Sequence, residues 1–202
     1  MAPVPKSRCT PAEYLQRERA AEFRSEFYNG DIFAMSGGSR QHSIIAMNLA
    51  RHLGNALADR RCQPFNSDMR VKVSDTGLYT YPDLSIVCDR QVFEDAEVDT
   101  LLNPTVIIEV LSKSTESYDR GKKFSHYRRI DTLREYILVS QTEPMVERFV
   151  RQDDDKWLLQ DSRGMESALE IEVAGVTLRL ADIYDGVEFA PEADSDGRTS
   201  QR

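Results

Sequence analysis

The sequence predicts a mixed α/β or α+β domain, with a central mixed β-sheet flanked by helices. Two short apolar runs, 84–88 and 105–111, have the length and composition of buried strands. Between 40 and 60, apolar residues recur at i and i+4, as on one face of an amphipathic helix. The residues of this stripe are Ile45, Leu49, Leu53 and Leu57. Helical and strand segments of this kind, interspersed along one chain, are typical of layered domains in which helices cover a sheet.

A helix and a β-hairpin are predicted at the N-terminal end. Thr10 is a good N-cap, Pro11 suits the first helical position and Glu13 completes a capping box. A helix is therefore expected over 10–20. Asn29-Gly30 lies between two apolar segments and favours a type I′ hairpin turn.

The rest of the chain predicts one more helix and several short strands. The segment 114–130 begins with serine and threonine caps and is expected to be one helix. The acidic segment 89–103 is expected to be a loop or weak helix with solvated charges. Further strands are expected over 63–65, 69–73, 134–139, 145–151, 156–160, 169–173 and 176–180.

The composition is that of an ordinary soluble protein, 40% hydrophobic and 30% charged over 202 residues. This length suits one domain, expected over 1–190, and the polar segment 191–202 is expected to be a disordered tail. No apolar run approaches the roughly 18 residues that span a bilayer, and the N-terminus lacks the apolar core of a signal peptide. A cytoplasmic protein without membrane contact is therefore expected.

Charge and cysteine content restrict the function further. The net charge of −8 argues against strong non-specific binding of nucleic acid, although a nuclease with a local basic groove remains compatible with it. Cys9, Cys62 and Cys88 show no metal-ligand spacing. Their odd number favours free thiols in a reducing compartment.

Two carboxylates in apolar surroundings are the first candidates for function. Asp83 follows Tyr81 and Pro82 at the start of one predicted strand, and Glu109 interrupts another. Burying an unpaired carboxylate costs several kcal/mol or more, so two of them on neighbouring strands invite a shared cation. Oxygen ligands suit Mg²⁺ or Mn²⁺, and the backbone carbonyl of Val110 is a candidate third ligand. Such an ion activates water and stabilises the charge that develops when a phosphodiester is cut.

A second group of candidates lies on the helix that follows. Asp119, Lys123 and Tyr127 are spaced at i, i+4 and i+8 and so share one helix face. Lys123 is positioned to orient or deprotonate a water molecule, and Tyr127 to hydrogen-bond a phosphate or Glu109.

Simpler interpretations exist for the same residues. Asp119 and Lys123 are also compatible with a surface ion pair, and Asp83 with a turn or cap residue. Glu109 needs a cation in any case, and Arg134 is one alternative. His42 lies near a helix start, where a structural role and a phosphate contact are both open. A serine hydrolase is excluded by the lack of a GxSxG elbow.

Several segments in this order and spacing resemble the Uma-two family of putative restriction endonucleases, within the PD-(D/E)XK nuclease superfamily. The resemblance covers about residues 10–185. The segments that carry it are SEFYNGDIFAMSGG with Glu26, the helix that begins near His42, Tyr81-Pro82-Asp83, IIEVLSKST, DRGKKFSHYRR and LREYILVS.

This resemblance implies a restriction-endonuclease-like fold and metal-dependent cleavage of DNA. By position, Asp83 and Glu109 are the two acidic residues of the superfamily motif. The lysine expected two residues after Glu109 is Leu111, and the resemblance assigns that role to Lys123, with Lys113 as a competitor. Glu26 is implied as an additional acidic residue at or near the site.

The sequence therefore predicts a cytoplasmic, Mg²⁺- or Mn²⁺-dependent DNA endonuclease that acts as a homodimer. Twofold pairing gives a small enzyme a longer footprint on DNA. A nuclease-like domain that has lost catalysis and binds a partner is the alternative from another functional class, favoured by the missing strand lysine and the acidic charge. RNA or branched DNA remains open as the substrate.

Overall fold

The largest of the three β-sheets, called the larger sheet below, forms the centre of the fold. The computed structural model describes residues 8–35 and 37–189, so the predicted tail 191–202 lies outside the described residues. The strands of this sheet are β3 (Gln63–Asn66), β6 (Leu84–Val87), β8 (Val106–Val110), β9 (Glu135–Val139), β10 (Met145–Arg151) and β11 (Trp157–Arg163). They run in the order β11-β10-β9-β8-β6-β3. Among these six described strands only β8 and β9 pair in parallel, so the predicted mixed central sheet is confirmed.

A second sheet contains the N-terminal hairpin. Its strands are β1 (Ser25–Tyr28), β2 (Asp31–Ala34), β4 (Arg70–Val73), β5 (Leu78–Thr80) and β7 (Thr100–Leu101), in the order β2-β1-β5-β4-β7. Asn29 and Gly30 both have positive φ, 50° and 88°, as a type I′ turn requires. The sequence predicted neither this separate sheet nor β7, which lies in the segment expected to be a loop or weak helix. A third, two-stranded sheet consists of β12 (Ala168–Ile171) and β13 (Val176–Arg179).

Helices pack against both the larger sheet and the second sheet. They are α1 (Pro11–Ala20), α2 (Arg40–Leu57), α3 (Glu116–Tyr118), a π turn (Asp119–Lys123), α4 (Phe124–Tyr127), a 3₁₀ turn (Glu172–Ala174) and α5 (Leu180–Ile183). The capping box of α1 is present, with the Thr10 backbone N–H donating to Glu13 over 2.8 Å. None of the helices in the described ranges is long and apolar enough to cross a bilayer.

The helix predicted over 114–130 is present but shorter, and its interior is not regular. The helical segment ends at Tyr127 and contains the π turn, in which one extra residue widens the helix. Such turns are rare and are frequent at functional sites. The spacing of side chains four residues apart does not reveal the π turn. One added residue rotates the helix face that follows it by only part of a turn.

Strand β8 divides the core between its two faces. Val106, Ile108 and Val110 pack with the buried stripe of α2, whose four predicted residues are all buried. Ile107 and Leu111 point to the opposite face, where they join a cluster that includes aromatic rings of α4 and β9. Residues of one strand alternate between faces, so Glu109 shares the second face.

The expectation of three free thiols is wrong, because Cys62 and Cys88 form a disulfide. Cys9 is free. The antiparallel pairing of β3 with β6 places Gln63 opposite Val87. Cys62 directly precedes Gln63 and Cys88 directly follows Val87, so the two cysteines also face each other. A separation of 26 residues in the sequence gives no sign of this contact, which depends on strand register.

This disulfide is expected to be detectable by thiol labelling. In denatured, unreduced protein iodoacetamide should label Cys9 alone, and after reduction it should label all three cysteines. Because the bond closes a loop in the unfolded chain, reduction should lower the free energy of unfolding by about 2–4 kcal/mol. Mass spectrometry and urea unfolding measure the two effects. A Cys9→Ser variant controls for exchange, and three labels without reduction would contradict the pairing.

Candidate active site

A cleft of about 200 Å³ opens where β6, β8, β1 and the π turn meet. It contains nearly all candidate residues of the sequence analysis. Its lining includes Glu26, His42, Asp83, Glu109, Val110, Asp119 and Lys123. The remaining candidate, Tyr127, lies buried beneath the cleft and contacts Glu109. We refer to this space as the active-site cleft.

Asp83 and Glu109 lie side by side at the bottom of this cleft. Leu84 pairs with Ile108 in the antiparallel contact between β6 and β8. The preceding and following residues, Asp83 and Glu109, are therefore opposite each other and on the same face of the sheet. The expectation that the two carboxylates occupy neighbouring strands is confirmed.

Lys123 is the cation that compensates Glu109. Its Nζ lies 2.8 Å from Glu109 Oε1, and its side chain is only 6% exposed. The same nitrogen is 3.6 Å from both Glu26 Oε1 and Asp119 Oδ1. A buried ammonium group among three carboxylates is not the surface ion pair of the simpler interpretation, and the alternative that Arg134 neutralises Glu109 is also wrong.

The π turn aims Lys123 into the cleft. Tyr136 on β9 donates a hydrogen bond of 3.0 Å to the backbone carbonyl of Asp119, which fixes the start of the turn against the sheet. One helical turn after Lys123, the Tyr127 hydroxyl donates a hydrogen bond of 2.9 Å to Glu109 Oε1. Glu109 Oε1 is thus held by two donors, Lys123 and Tyr127, on the helix side of the cleft.

Asp83 is oriented from the other side. Its Oδ2 accepts a hydrogen bond of 2.7 Å from the backbone N–H of Val110 and lies 3.1 Å from His42 Nε2. His42 belongs to the first turn of α2, where the N-cap Ser39 accepts a hydrogen bond from its backbone N–H. The hydrogen bond to Asp83 raises the pKa of His42, with burial opposing it.

Glu26 connects the second sheet to the cleft. One of its carboxylate oxygens accepts a hydrogen bond from Thr80 on the adjacent strand β5. The other accepts a bond of 3.3 Å from the Tyr118 hydroxyl. The position of Glu26 on the hairpin strand β1 therefore ties the orientation of the hairpin to Lys123.

Burial and mutual charge shift the pKa values of this cluster. Burial raises the pKa of Glu109, with Asp119 and Asp83 adding to the rise, and the ammonium group of Lys123 opposes it by favouring the charged carboxylate. Burial lowers the pKa of Lys123, but Glu109, Glu26 and Asp119 outweigh it and hold that pKa well above its ordinary value. An excess of carboxylates over one lysine makes the cleft attractive to a further cation.

The donor set fits a magnesium-type ion. No group of three or more histidine, cysteine, aspartate and glutamate side chains within 8–35 and 37–189 is arranged to hold a metal by itself. Mg²⁺ usually needs only one or two carboxylates, with water and substrate phosphate completing its shell. Within those same ranges, no hydrogen bond engages Asp83 Oδ1 or Glu109 Oε2, so each carboxylate keeps one oxygen for an ion.

The model of a known protein family matches most of the chain, including the residues of this cleft. The model of the Uma2 family, described as "Putative restriction endonuclease", matches residues 11–181. The chain belongs to the Uma2 family. The match spans the active-site cleft and all eight candidate residues, and the resemblance of the sequence segments is confirmed.

Two relatives and one solved structure resemble the chain over most of its length. Two uncharacterized proteins of Synechocystis sp. are 37% and 38% identical to the chain. The first covers 93% of the chain and 96% of its own length, and the second 80% and 91%. A crystal structure from Anabaena variabilis, described as a putative nuclease belonging to DUF820, has a TM-score of 0.70 at 17% identity. It covers 86% of the chain and 96% of its own chain, and it shows the fold. Family and fold together indicate a restriction-endonuclease-like nuclease.

The structure also distinguishes Lys113 from Lys123, the two candidates for the same lysine role in this Uma2 protein. Lys113 is exposed and lies outside the active-site cleft, whereas Lys123 contacts Glu109. Sequence reasoning missed Tyr118 and Thr80, which hold Glu26. The only available signal was that Tyr118 directly precedes Asp119.

The ion pair between Lys123 and Glu109 is expected to be essential for stability. Lys123→Met leaves a buried carboxylate without its cation, so the free energy of unfolding should fall by about 3–5 kcal/mol. Adding Glu109→Gln should recover part of that loss, because the unpaired charge is removed. Urea unfolding of both variants measures the coupling.

Lys113→Met is the matched control, since an exposed lysine should change stability by about 0.5 kcal/mol or less. Equal losses for the two lysine variants would show that Lys123 is not compensating a buried charge.

Proposed function

We propose that this Uma2 protein is a metal-dependent endonuclease that hydrolyses DNA phosphodiester bonds in the active-site cleft. The observation that carries the proposal is the contact of Lys123 with Glu109, directly beside Asp83. Two carboxylates and one lysine at a single point can hold a metal ion and stabilise the charge that develops in phosphodiester hydrolysis. The family and the fold support a nuclease.

In this proposal Asp83, Glu109 and the backbone carbonyl of Val110 hold Mg²⁺ or Mn²⁺. Such an ion supplies Lewis acidity at the phosphate and makes a bound water more acidic. The chain contributes the orientation of both carboxylates. His42 and the Val110 N–H fix one oxygen of Asp83, and Tyr127 fixes one oxygen of Glu109.

Lys123 acts as a fixed positive charge. Three carboxylates surround its ammonium group, which favours the charged form and holds it in one orientation. Such a group stabilises negative charge on a phosphate and orients the attacking water. Glu26 and Asp119 are positioning residues in this scheme, because they act through Lys123.

DNA as substrate and the homodimer are further parts of the proposal. The family description favours DNA as substrate. Pairing of two copies would give this small domain two cleavage sites and a longer footprint.

Metal titration and cleavage test the proposal together. Calorimetry with Mg²⁺ and Mn²⁺ should show binding to the wild type and none to Asp83→Ala or Glu109→Ala. Nicking of supercoiled plasmid should fall by about 10²-fold or more in the same variants, as expected when a group that stabilises the transition state is lost. Glu166→Ala, an exposed acidic residue outside the cleft, should behave as the wild type.

Two results would contradict the proposal in different ways. Unchanged cleavage by Asp83→Ala and Glu109→Ala would remove these residues from the site. Nucleic-acid binding by the wild type without any divalent binding or cleavage would instead indicate the non-catalytic binding module.

A further inference from the structure

The active-site cleft continues into a second, larger cavity. This apolar cavity has a volume of about 730 Å³, within the range of about 300–1,000 Å³ typical of ligand sites. It shares Met35, Gly37, Gly38, His42 and Asp83 with the cleft. A group bound in the apolar cavity is therefore adjacent to the proposed scissile phosphate.

Large apolar side chains line this cavity although they face solvent. Phe23 is 81% exposed and Met47 is 68% exposed, and Met35 lies at the junction with the cleft. Leu84 and two alanines of α2 complete the apolar part of the wall. Exposed apolar groups gathered around one concavity are typical of binding sites.

The charge of the cavity does not suit a duplex backbone. Glu22 and Arg24 lie at its wall, and Arg24 is already engaged by Asp68 at 3.1 Å. Duplex binding depends on many lysines and arginines that replace counterions, and the chain has a net charge of −8. Binding of single strands also uses basic groups, and it adds the stacking of unpaired bases on aromatic side chains.

A third cavity also adjoins the cleft. Its volume is about 720 Å³, and it shares Gly37, Gly38 and Ser112 with the cleft. Hydroxyl and amide side chains line it together with Lys113, Glu116 and Glu188, so its charge is mixed and does not favour a phosphate backbone.

We infer that the apolar cavity holds an unpaired nucleobase beside the cleaved phosphate, so the substrate is single-stranded or locally unpaired DNA. This inference rests on the proposed function. Phe23 offers the stacking surface, and Met35 and Met47 fill the space around the base. A base inside a duplex is stacked and paired, and it would have to leave the helix to enter.

Three oligonucleotides of one sequence test this inference: a single strand, a full duplex and a duplex with an unpaired bulge. With Mn²⁺, the wild type should cut the single strand and the bulge at least about ten times faster than the duplex. In EDTA, a single strand that carries 2-aminopurine should lose fluorescence on binding, because the base stacks. Phe23→Ala combined with Met47→Ala should weaken this binding about tenfold, the effect of one lost base stack.

Leu158→Ala combined with Leu159→Ala is the matched control. These two leucines are each 50% exposed and lie on β11, away from the three cavities. Their loss should leave affinity and cleavage unchanged. Equal cleavage of duplex and single strand, or equal effects of the two double variants, would overturn the inference while the proposed nuclease stands.

Two further outcomes distinguish the base site from the proposed nuclease activity and from a contact with a second copy of the chain. Stacking that depends on Phe23, without cleavage of any DNA by the wild type, would support the base site and overturn the proposed nuclease. Light scattering that shows a dimer in the wild type and a monomer in Phe23→Ala would overturn the inference, because a second copy of the chain would then occupy the apolar cavity.

Discussion

The contact between the Lys123 ammonium group and the Glu109 carboxylate is the interaction on which the rest of the site depends. Glu109 occupies a strand whose other side chains are apolar, where a lone carboxylate costs several kcal/mol. The strand can carry that residue only because a cation reaches it from the helical segment opposite. Tyr127 and Tyr136 then hold this segment against the sheet.

The groups around this contact come from distant parts of the chain. Glu26 arrives on the second sheet, Asp83 and Glu109 on two neighbouring strands of the larger sheet, and Lys123 on the π turn. Each layer of the fold therefore contributes at least one charged group. Displacement of one layer against another would separate charges that are buried together, so the packing of the layers and the geometry of the cleft are energetically coupled.

Part of this arrangement could be predicted from the sequence. A carboxylate in an apolar run has few explanations, which is why the positions of Asp83 and Glu109 in the sequence already indicate a shared site. The stripe on α2 and the Asn29-Gly30 turn follow from local periodicity and backbone preference. The disulfide and the role of Tyr118 depend on which strands and helices become neighbours. The π turn depends on hydrogen bonding that local residue spacing does not encode.

Side chains alternate between the two faces of the sheet along β8, and this determines where the chain tolerates insertions and deletions. One extra residue within Val106–Val110 would rotate Glu109 to the face occupied by α2 and bring an apolar side chain under Lys123. A change of length in the exposed segment 95–98, before β7, leaves that alternation intact. Uma2 proteins that keep this site should therefore vary in length between their strands and hold the length of this strand constant.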